Sequence, residues 1–271
     1  MSLTSLIRSD KELRDKIRAT FRRPKLEKNR PLLVEPLTKR KCYGLVGTAF
    51  DYLFRFFLER INDVQNNQKI WISEQAIELL LSHRKVYEAG NKIIDNVKEL
   101  KNEYIETGKL SQELIRQTLR MSYIDPIFRA GVGIEYIGMD ADKADIEDIE
   151  NQFHLIEEEL FVAKETCLLN PTFGKASSLV GGADADFLID DKLIDIKTTK
   201  KLELNLNDFC QIVGYLVLHR IGGIDERKEI DISQLGIYYS RYGYLFLFNI
   251  HDLIDGDSLQ AFTEWFEDRI R

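Results

Sequence analysis

Apolar residues recur at helical spacing through much of the first 152 positions of this 271-residue chain. The densest run covers 43–61 and predicts a largely buried helix. Ser9, Ser73 and Ser111 are the predicted N-caps of further helices, and Gly90 is a predicted break. These helices are predicted over 9–22, 73–106, 111–129 and 142–151. The prolines of 23–41 favour extended chain there.

Shorter apolar runs with β-strand character follow from residue 153 onward. They predict a strand around 160–168, two strands within 181–199 joined by a turn at 190–192, and a hairpin of 234–240 with 244–250. A helix is predicted between the two hairpins, from Asn207 or Asp208 to about 220, and a last helix over 252–270. This order predicts an α/β fold with a mixed sheet flanked by helices. We therefore expect a mainly helical region, 1–152, and an α/β core, 153–271, packed as one compact unit.

Charge and cysteine content exclude several classes of protein. The net charge of −7 argues against indiscriminate binding to nucleic acid, although residues 8–41 hold 13 Lys and Arg against 5 Asp and Glu. The segment 140–159 is acidic and offers an alternative role as a partner-binding surface. Cys42, Cys167 and Cys210 form no C-x-x-C pair, which disfavours zinc, iron–sulfur and disulfide frameworks. No run of about 20 apolar residues is present, so we expect a cytoplasmic protein without membrane contact.

The stretch 181–199 carries aspartates and a lysine on two adjacent predicted strands. Alternation along a strand places Asp184 and Asp186 on one side of the first run, and Asp195 and Lys197 on one side of the second. Closing the hairpin brings Asp184 or Asp186 near Asp195 and Lys197. Two carboxylates beside an ammonium suit a divalent cation such as Mg²⁺, which prefers oxygen ligands. An isolated Asp-x-Lys triplet also occurs at solvated strand edges, so the apolar context of this one carries the prediction.

Asp184 followed by Asp195-Ile196-Lys197 resembles the PD-(D/E)XK nuclease signature, with Ala183 in place of the proline. The resemblance implies a restriction-endonuclease-like sheet and Mg²⁺ or Mn²⁺ bound by Asp184, Asp195 and the Ile196 carbonyl. Asp186 is the alternative to Asp184 as a ligand. Lys197 is implied to orient or help deprotonate the attacking water.

Two further motifs resemble the RecB-type branch of that superfamily. Gly47 precedes Asp51 by four residues on a predicted helix, where the branch has a glycine and a histidine. Gln211-x-x-x-Tyr215 resembles its fourth motif, and residues four apart share a helix face. The resemblance implies that Asp51 completes the outer metal shell, that Gln211 and Tyr215 position the substrate or the lysine, and that 62–152 is a helical insertion. Asp51, Gln211 and Tyr215 also suit purely structural roles.

The leading hypothesis is a metal-dependent nuclease acting on DNA, with RNA as the alternative substrate. The expected nucleic-acid contacts are Thr198, Lys200, Lys201, Arg22, Arg23 and Lys25. The competing hypothesis is a catalytically inactive protein of the same fold that binds nucleic acid or protein.

Overall fold

The computed structural model describes residues 2–27, 29–37, 43–66 and 69–271. The α-helices of the first half are α1 (Leu3–Ser9), α2 (Lys11–Thr20), α3 (Tyr43–Ile61), α4 (Ile72–Glu78), α5 (Arg84–Thr107), α6 (Gln112–Ser122), α7 (Asp125–Ala130) and α8 (Lys143–Phe153). Those of the second half are α9 (Lys175–Leu179), α10 (Leu206–Gly222), α11 (Ile250–Leu253) and α12 (Gly256–Ile270). The strands are β1 (Cys167–Leu169), β2 (Phe187–Ile189), β3 (Lys192–Lys197), β4 (Gln234–Tyr239) and β5 (Tyr244–Asn249).

The five strands form one mixed sheet in the order β1-β2-β3-β4-β5. β3 and β4 run parallel, with Lys197 opposite Tyr239, because α10 carries the chain back across the sheet between them. The other neighbouring pairs are antiparallel. An α/β fold with a mixed sheet between helices is therefore confirmed, and the predicted hairpin of 234–240 with 244–250 agrees closely with β4 and β5.

The sheet separates two apolar clusters because successive strand side chains point to opposite faces. Phe187 and Ile194 pack with α3 to α8 on one face, while Leu188 and Leu193 pack with α1, α2, α10 and α12 on the other. The helices of the first 152 residues are thus divided between the two faces. None of the helices in the described ranges has both the length and the apolar content that crossing a lipid bilayer requires.

The predicted strand over 160–168 is wrong for most of its length. A 3-10 turn spans Glu158–Phe161, and pairing begins only at Cys167. The backbone between them bonds to side chains instead of a neighbouring strand. Ala163 donates its N–H to the side-chain Oδ1 of Asn62 at 2.7 Å, and the Asp190 carboxylate accepts the N–H groups of residues 164–166. These side-chain acceptors satisfy the polar backbone without a sheet ladder.

Several predicted helix ends are also corrected. Asp10, not Ser9, caps α2 by accepting the N–H of Leu13 at 2.9 Å, so the helix predicted over 9–22 spans only Lys11–Thr20 and Ser9 ends α1. Ser73 lies inside α4, whose N-cap is Trp71. Gly90 does not interrupt α5; its missing Cβ makes room for Ile77. Asn205 caps α10, and Asp255 caps α12, whereas the predicted Ser111 cap of α6 is confirmed.

The acidic segment 140–159 contributes to the interior as well as to the surface. Asp145 and Asp148 are buried in α8, and Asp148 pairs with Arg241, which follows β4 and is itself only 1% exposed. The predicted inert thiols Cys167 and Cys210 are free and buried. Cys42, like residues 28 and 38–41 of the basic segment, lies outside the described residues.

Candidate active site

The hairpin of β2 and β3 brings the predicted acidic residues to one end of the sheet. Its two-residue turn is Asp190-Asp191, and Asp190 adopts a left-handed backbone with φ of 52°, a conformation that aspartate tolerates. Asp184 and Asp186 precede β2 rather than lying within it. Asp184 forms an isolated bridge with Thr172, and both carboxylates line a cleft at this end of the sheet. The predicted convergence is present, although the first predicted strand is shorter than expected.

Asp186 is bonded directly to β3. Its carboxylate accepts the backbone N–H of Ile196, the residue between Asp195 and Lys197. Asp184 accepts instead from the side-chain amide of Asn170 at 3.5 Å. Both candidates for the first acidic position therefore face the cleft, and Asp186 is tied directly to the Asp-x-Lys strand.

A continuous polar chain joins four of the predicted residues. The Lys197 ammonium lies 2.7 Å from Asp195 Oδ2 and donates to Gln211 Oε1 at 3.0 Å. Gln211 donates in turn to the Tyr215 hydroxyl at 2.7 Å. Gln211 and Tyr215 lie one turn apart on α10, which packs in the same apolar cluster as Leu193 of β3. The lysine is thereby held in one orientation by groups from two elements.

Electrostatics keep Lys197 charged. Burial by itself lowers the pKa of this lysine, but the nearby carboxylates of Asp195 and Asp208 outweigh burial and raise the pKa overall. The pKa of Tyr215 is raised by burial and by the charges of Asp195 and Asp186. Lys197 is consequently a cation and a hydrogen-bond donor in this arrangement, and Tyr215 is a neutral phenol.

Asp51 reaches the same cleft from α3. Gly47, one turn earlier, faces Thr198, the residue after β3, and a Cβ at Gly47 would lie 3.7 Å from the Thr198 Cβ, which is an ordinary contact. Asp51 Oδ2 pairs with Arg55 at 2.7 Å, while its buried Oδ1 has no hydrogen-bond partner among the described residues. Arg55 also donates to the side-chain oxygen of Asn170.

The carboxylates of the cleft repel one another. Burial raises the pKa of Asp186 well above its ordinary value, and the charges of Asp195 and Asp51 raise it further. Burial likewise raises the pKa of Asp51 despite the charge of Arg55, and Asp184 adds to the effect. Negative charge is thus concentrated in a place where it is poorly solvated. A cation in the cleft would relieve this cost.

The cleft has a volume of about 1150 Å³ and is lined from both helical layers. Sequence analysis missed Asp125, a buried residue that also lines the cleft. Tyr52 donates to Asp125 at 3.0 Å, and burial raises the pKa of this carboxyl to about 6. No local pattern marks Asp125, since an aspartate before a proline at the start of a short helix is typical of capping.

The predicted nucleic-acid contacts divide among three places. Thr198 lines the cleft, and its hydroxyl lies 3.1 Å from that of Ser240. Lys200 is exposed and pairs with Glu35 at 3.0 Å, and Lys201 is exposed nearby. The three predicted contacts from the N-terminal segment lie beyond the cleft: Arg23 and Lys25 line a second cavity of about 850 Å³ beside the start of α10, and Arg22 is exposed.

A ready-made metal centre is not formed by these side chains. In the part of the chain that the structure describes, no group of three or more His, Cys, Asp or Glu is arranged to hold a metal ion. Asp195 and Asp186 are instead paired with Lys197 and the Ile196 N–H. The donor chemistry nevertheless fits a hard cation, because Asp51, Asp184 and Asp186 line one cleft and the buried Asp51 Oδ1 has no hydrogen-bond partner among the described residues.

Comparison with known proteins gives no relative from which a role could be taken. No family model, no curated protein and no solved structure matches this chain.

Proposed function

We propose that this protein is a Mg²⁺- or Mn²⁺-dependent nuclease that hydrolyses phosphodiester bonds of DNA, built on a restriction-endonuclease-like core. The observation that carries the proposal is the meeting of Asp186, Asp195 and Lys197 at one end of the sheet, with Asp184 and Asp51 in the same cleft. Solvated strand-edge residues would not share a cleft or be connected through Gln211 to Tyr215. The motif spacing and this arrangement support the same chemistry from independent directions.

The residues that would hold the cation are Asp51, Asp184, Asp186, Asp195 and the carbonyl oxygen of Ile196. Their charge suits a divalent ion, since the mutual repulsion that raises the pKa of Asp186 and Asp51 falls when a cation is present. When bound, Mg²⁺ or Mn²⁺ supplies a Lewis acid that stabilises charge on phosphate oxygens and increases the acidity of water. Asp51, which stands where the RecB-type branch has a histidine, is one of these proposed ligands.

Lys197 is the chain's own contribution to charge stabilisation. Its ammonium lines the cleft, stays protonated beside Asp195, and can donate to a phosphate oxygen or to the attacking water. The Gln211 side chain accepts from this ammonium through its oxygen and donates to Tyr215 through its nitrogen. These two bonds fix the orientation of the amide, which holds the lysine in place. Because Lys197 stays charged, this arrangement favours orientation of the water over its deprotonation.

Cleavage assays with paired variants of β3 test the proposal. The wild type is incubated with labelled single-stranded, linear duplex and circular DNA, and with RNA, with and without Mn²⁺. Asp195→Asn and Lys197→Met should each reduce metal-dependent cleavage by about 100-fold or more. Asp191→Asn and Lys192→Met are matched controls, because they lie in or next to the hairpin turn, away from the cleft. Undiminished cleavage by both site variants, with the fold intact by circular dichroism, contradicts the assignment.

The same fold without catalysis is the second candidate function. It is favoured by the internal pairing of the carboxylates, Asp51 with Arg55 and Asp195 with Lys197, and by the aspartate at the position of the family histidine. A binding protein of this kind should bind nucleic acid without cutting it, and Mn²⁺ should leave its thermal stability unchanged. Metal-dependent cleavage by the wild type, lost in Asp195→Asn, excludes it.

A further inference from the structure

The cationic side chains of the cleft are of two kinds. Three of them are committed to carboxylates: Arg55 to Asp51, Lys69 to Asp225 and Lys197 to Asp195, each at 2.7 Å. Two others, Arg8 and Arg129, line the same cleft, are exposed, and make no ion pair within the described ranges. An unpaired guanidinium beside an acidic cleft is available to an anionic ligand.

Arg8 and Arg129 come from opposite sides of the sheet. Arg8 is in the last turn of α1, which packs on α10, whereas Arg129 is in the last turn of α7, in the layer of α3 to α8. Arg129 also faces the acidic residues: burial raises the pKa of Asp125, and the charge of Arg129 acts in the opposite direction. A chain of phosphates entering past one arginine and leaving past the other would cross the end of the sheet that carries Lys197.

The chemistry of the cleft requires such cations. An approaching polyanion is repelled by the carboxylates, and arginine offers a planar fork of donors that matches phosphate oxygens. Because they come from opposite sides of the sheet, the two arginines would attract the phosphates on either side of the reacting one and leave the middle phosphate to Lys197. Neither residue was among the predicted nucleic-acid contacts: Arg8 opens the basic segment 8–41 but was not singled out there, and Arg129 lies outside that segment.

Apolar side chains on the same cleft indicate which form of nucleic acid fits. Tyr43, at the start of α3, is 47% exposed, and Ile70 is 67% exposed; both line the cleft. A single strand presents base faces that stack on an aromatic ring, whereas a duplex hides them within its own stack. An exposed tyrosine in the same cleft as two arginines without ion pairs suits the stacking and phosphate contacts by which proteins hold an unpaired strand.

We infer that the cleft binds a single strand of nucleic acid, with Arg8 and Arg129 on the phosphates that flank the reacting one and Tyr43 stacked on a base. The inference rests on the proposed function for the identity of the reacting phosphate, but the binding path can be tested without cleavage.

The test is equilibrium binding of a fluorescein-labelled single-stranded DNA in EDTA, measured by anisotropy over a series of salt concentrations. Arg8→Ala and Arg129→Ala should each reduce the slope of log K against log salt by about 0.7, and the double variant by about twice that amount. Tyr43→Ala should weaken binding by about fivefold or more with the salt slope unchanged. Arg84→Ala is the control, because Arg84 is a surface arginine of α5 outside the cleft and should leave affinity and slope at wild-type values.

Failure of the path and failure of the proposed function give different results. Wild-type salt slopes in both arginine variants overturn the proposed binding path whether or not the wild type cleaves DNA. So does unlabelled duplex DNA that displaces the labelled strand as well as unlabelled single-stranded DNA does. The expected slopes together with no cleavage in Mn²⁺ support the path and overturn the nuclease. Because Arg8, Arg129 and Tyr43 are exposed, unfolding does not complicate the comparison, and thermal denaturation of each variant verifies this.

Discussion

The buried ion pair of Asp148 with Arg241 should be the most sensitive polar contact of the fold. Arg241 follows β4, Asp148 lies on α8, and both are at most 1% exposed. Two parallel hydrogen bonds join them, Nη1 to Oδ1 at 2.7 Å and Nη2 to Oδ2 at 3.0 Å. Gln152 donates to the same carboxylate at 2.9 Å, and Arg241 donates to the carbonyl of Val34 at 3.4 Å. One pair thus connects α8, the sheet and the N-terminal segment.

Removing the carboxylate alone leaves a guanidinium buried without its counter-charge. Asp148→Leu should therefore lower the free energy of unfolding by about 3–5 kcal/mol. That is a large part of the roughly 5–15 kcal/mol that holds a typical domain folded. Replacing both partners with apolar residues of similar volume removes the unpaired charge, so the double variant Asp148→Leu, Arg241→Met should recover at least about 2 kcal/mol relative to Asp148→Leu.

Urea unfolding followed by circular dichroism measures this cycle, with both single variants, the double variant and the wild type at one pH. Asp140→Leu is the control, because Asp140 pairs with Arg116 at the surface of the neighbouring segment and solvent screens that contact. It should change stability much less than Asp148→Leu. A loss below about 1 kcal/mol in Asp148→Leu, or a double variant no more stable than that single variant, refutes the reasoning.

Two other predictions concern α10, the helix that carries Gln211. Burial lowers the pKa of His219 to about 4, below its value of about 6.5 in the unfolded chain. Between these two pH values the unfolded chain binds more protons than the folded one, so the free energy of unfolding falls as the pH drops, by about 2 kcal/mol at pH 5. Urea unfolding at pH 5 and pH 8 should show a correspondingly smaller decrease in His219→Leu; equal decreases in both proteins contradict this. Gly222→Ala would place Cβ 2.0 Å from the carbonyl oxygen of Phe173 and should cost about 1–3 kcal/mol, whereas Gly256→Ala has open space and should melt near the wild type. Equal melting temperatures of the two glycine variants would contradict the close packing.

The local sequence was sufficient to predict the hairpin of β2 and β3 and the pairs of polar side chains that share a face on β3 and on α10. Alternation predicted that Asp195 and Lys197 share one side of β3, and helical spacing predicted that Gln211 and Tyr215 share one face of α10. Both follow from backbone geometry over a few residues, which neighbours along the chain decide. The hairpin turn at Asp190 was predictable for the same reason. The role of these residues in catalysis stays a prediction.

Only the tertiary structure decided the features that depend on contacts between distant segments of the chain. The predicted strand at 160–168 was lost because Asn62 and Asp190 satisfy its backbone. The burial of Asp148 in an acidic helix could be decided only by Arg241, some ninety residues away. Likewise, Asp125, Arg8 and Arg129 carry no pattern of their own, and they become candidates because the two helical layers bring them to one cleft. Sequence periodicity determines which side chains share a face, whereas partner and degree of burial are set by the packing of faces from separate parts of the chain.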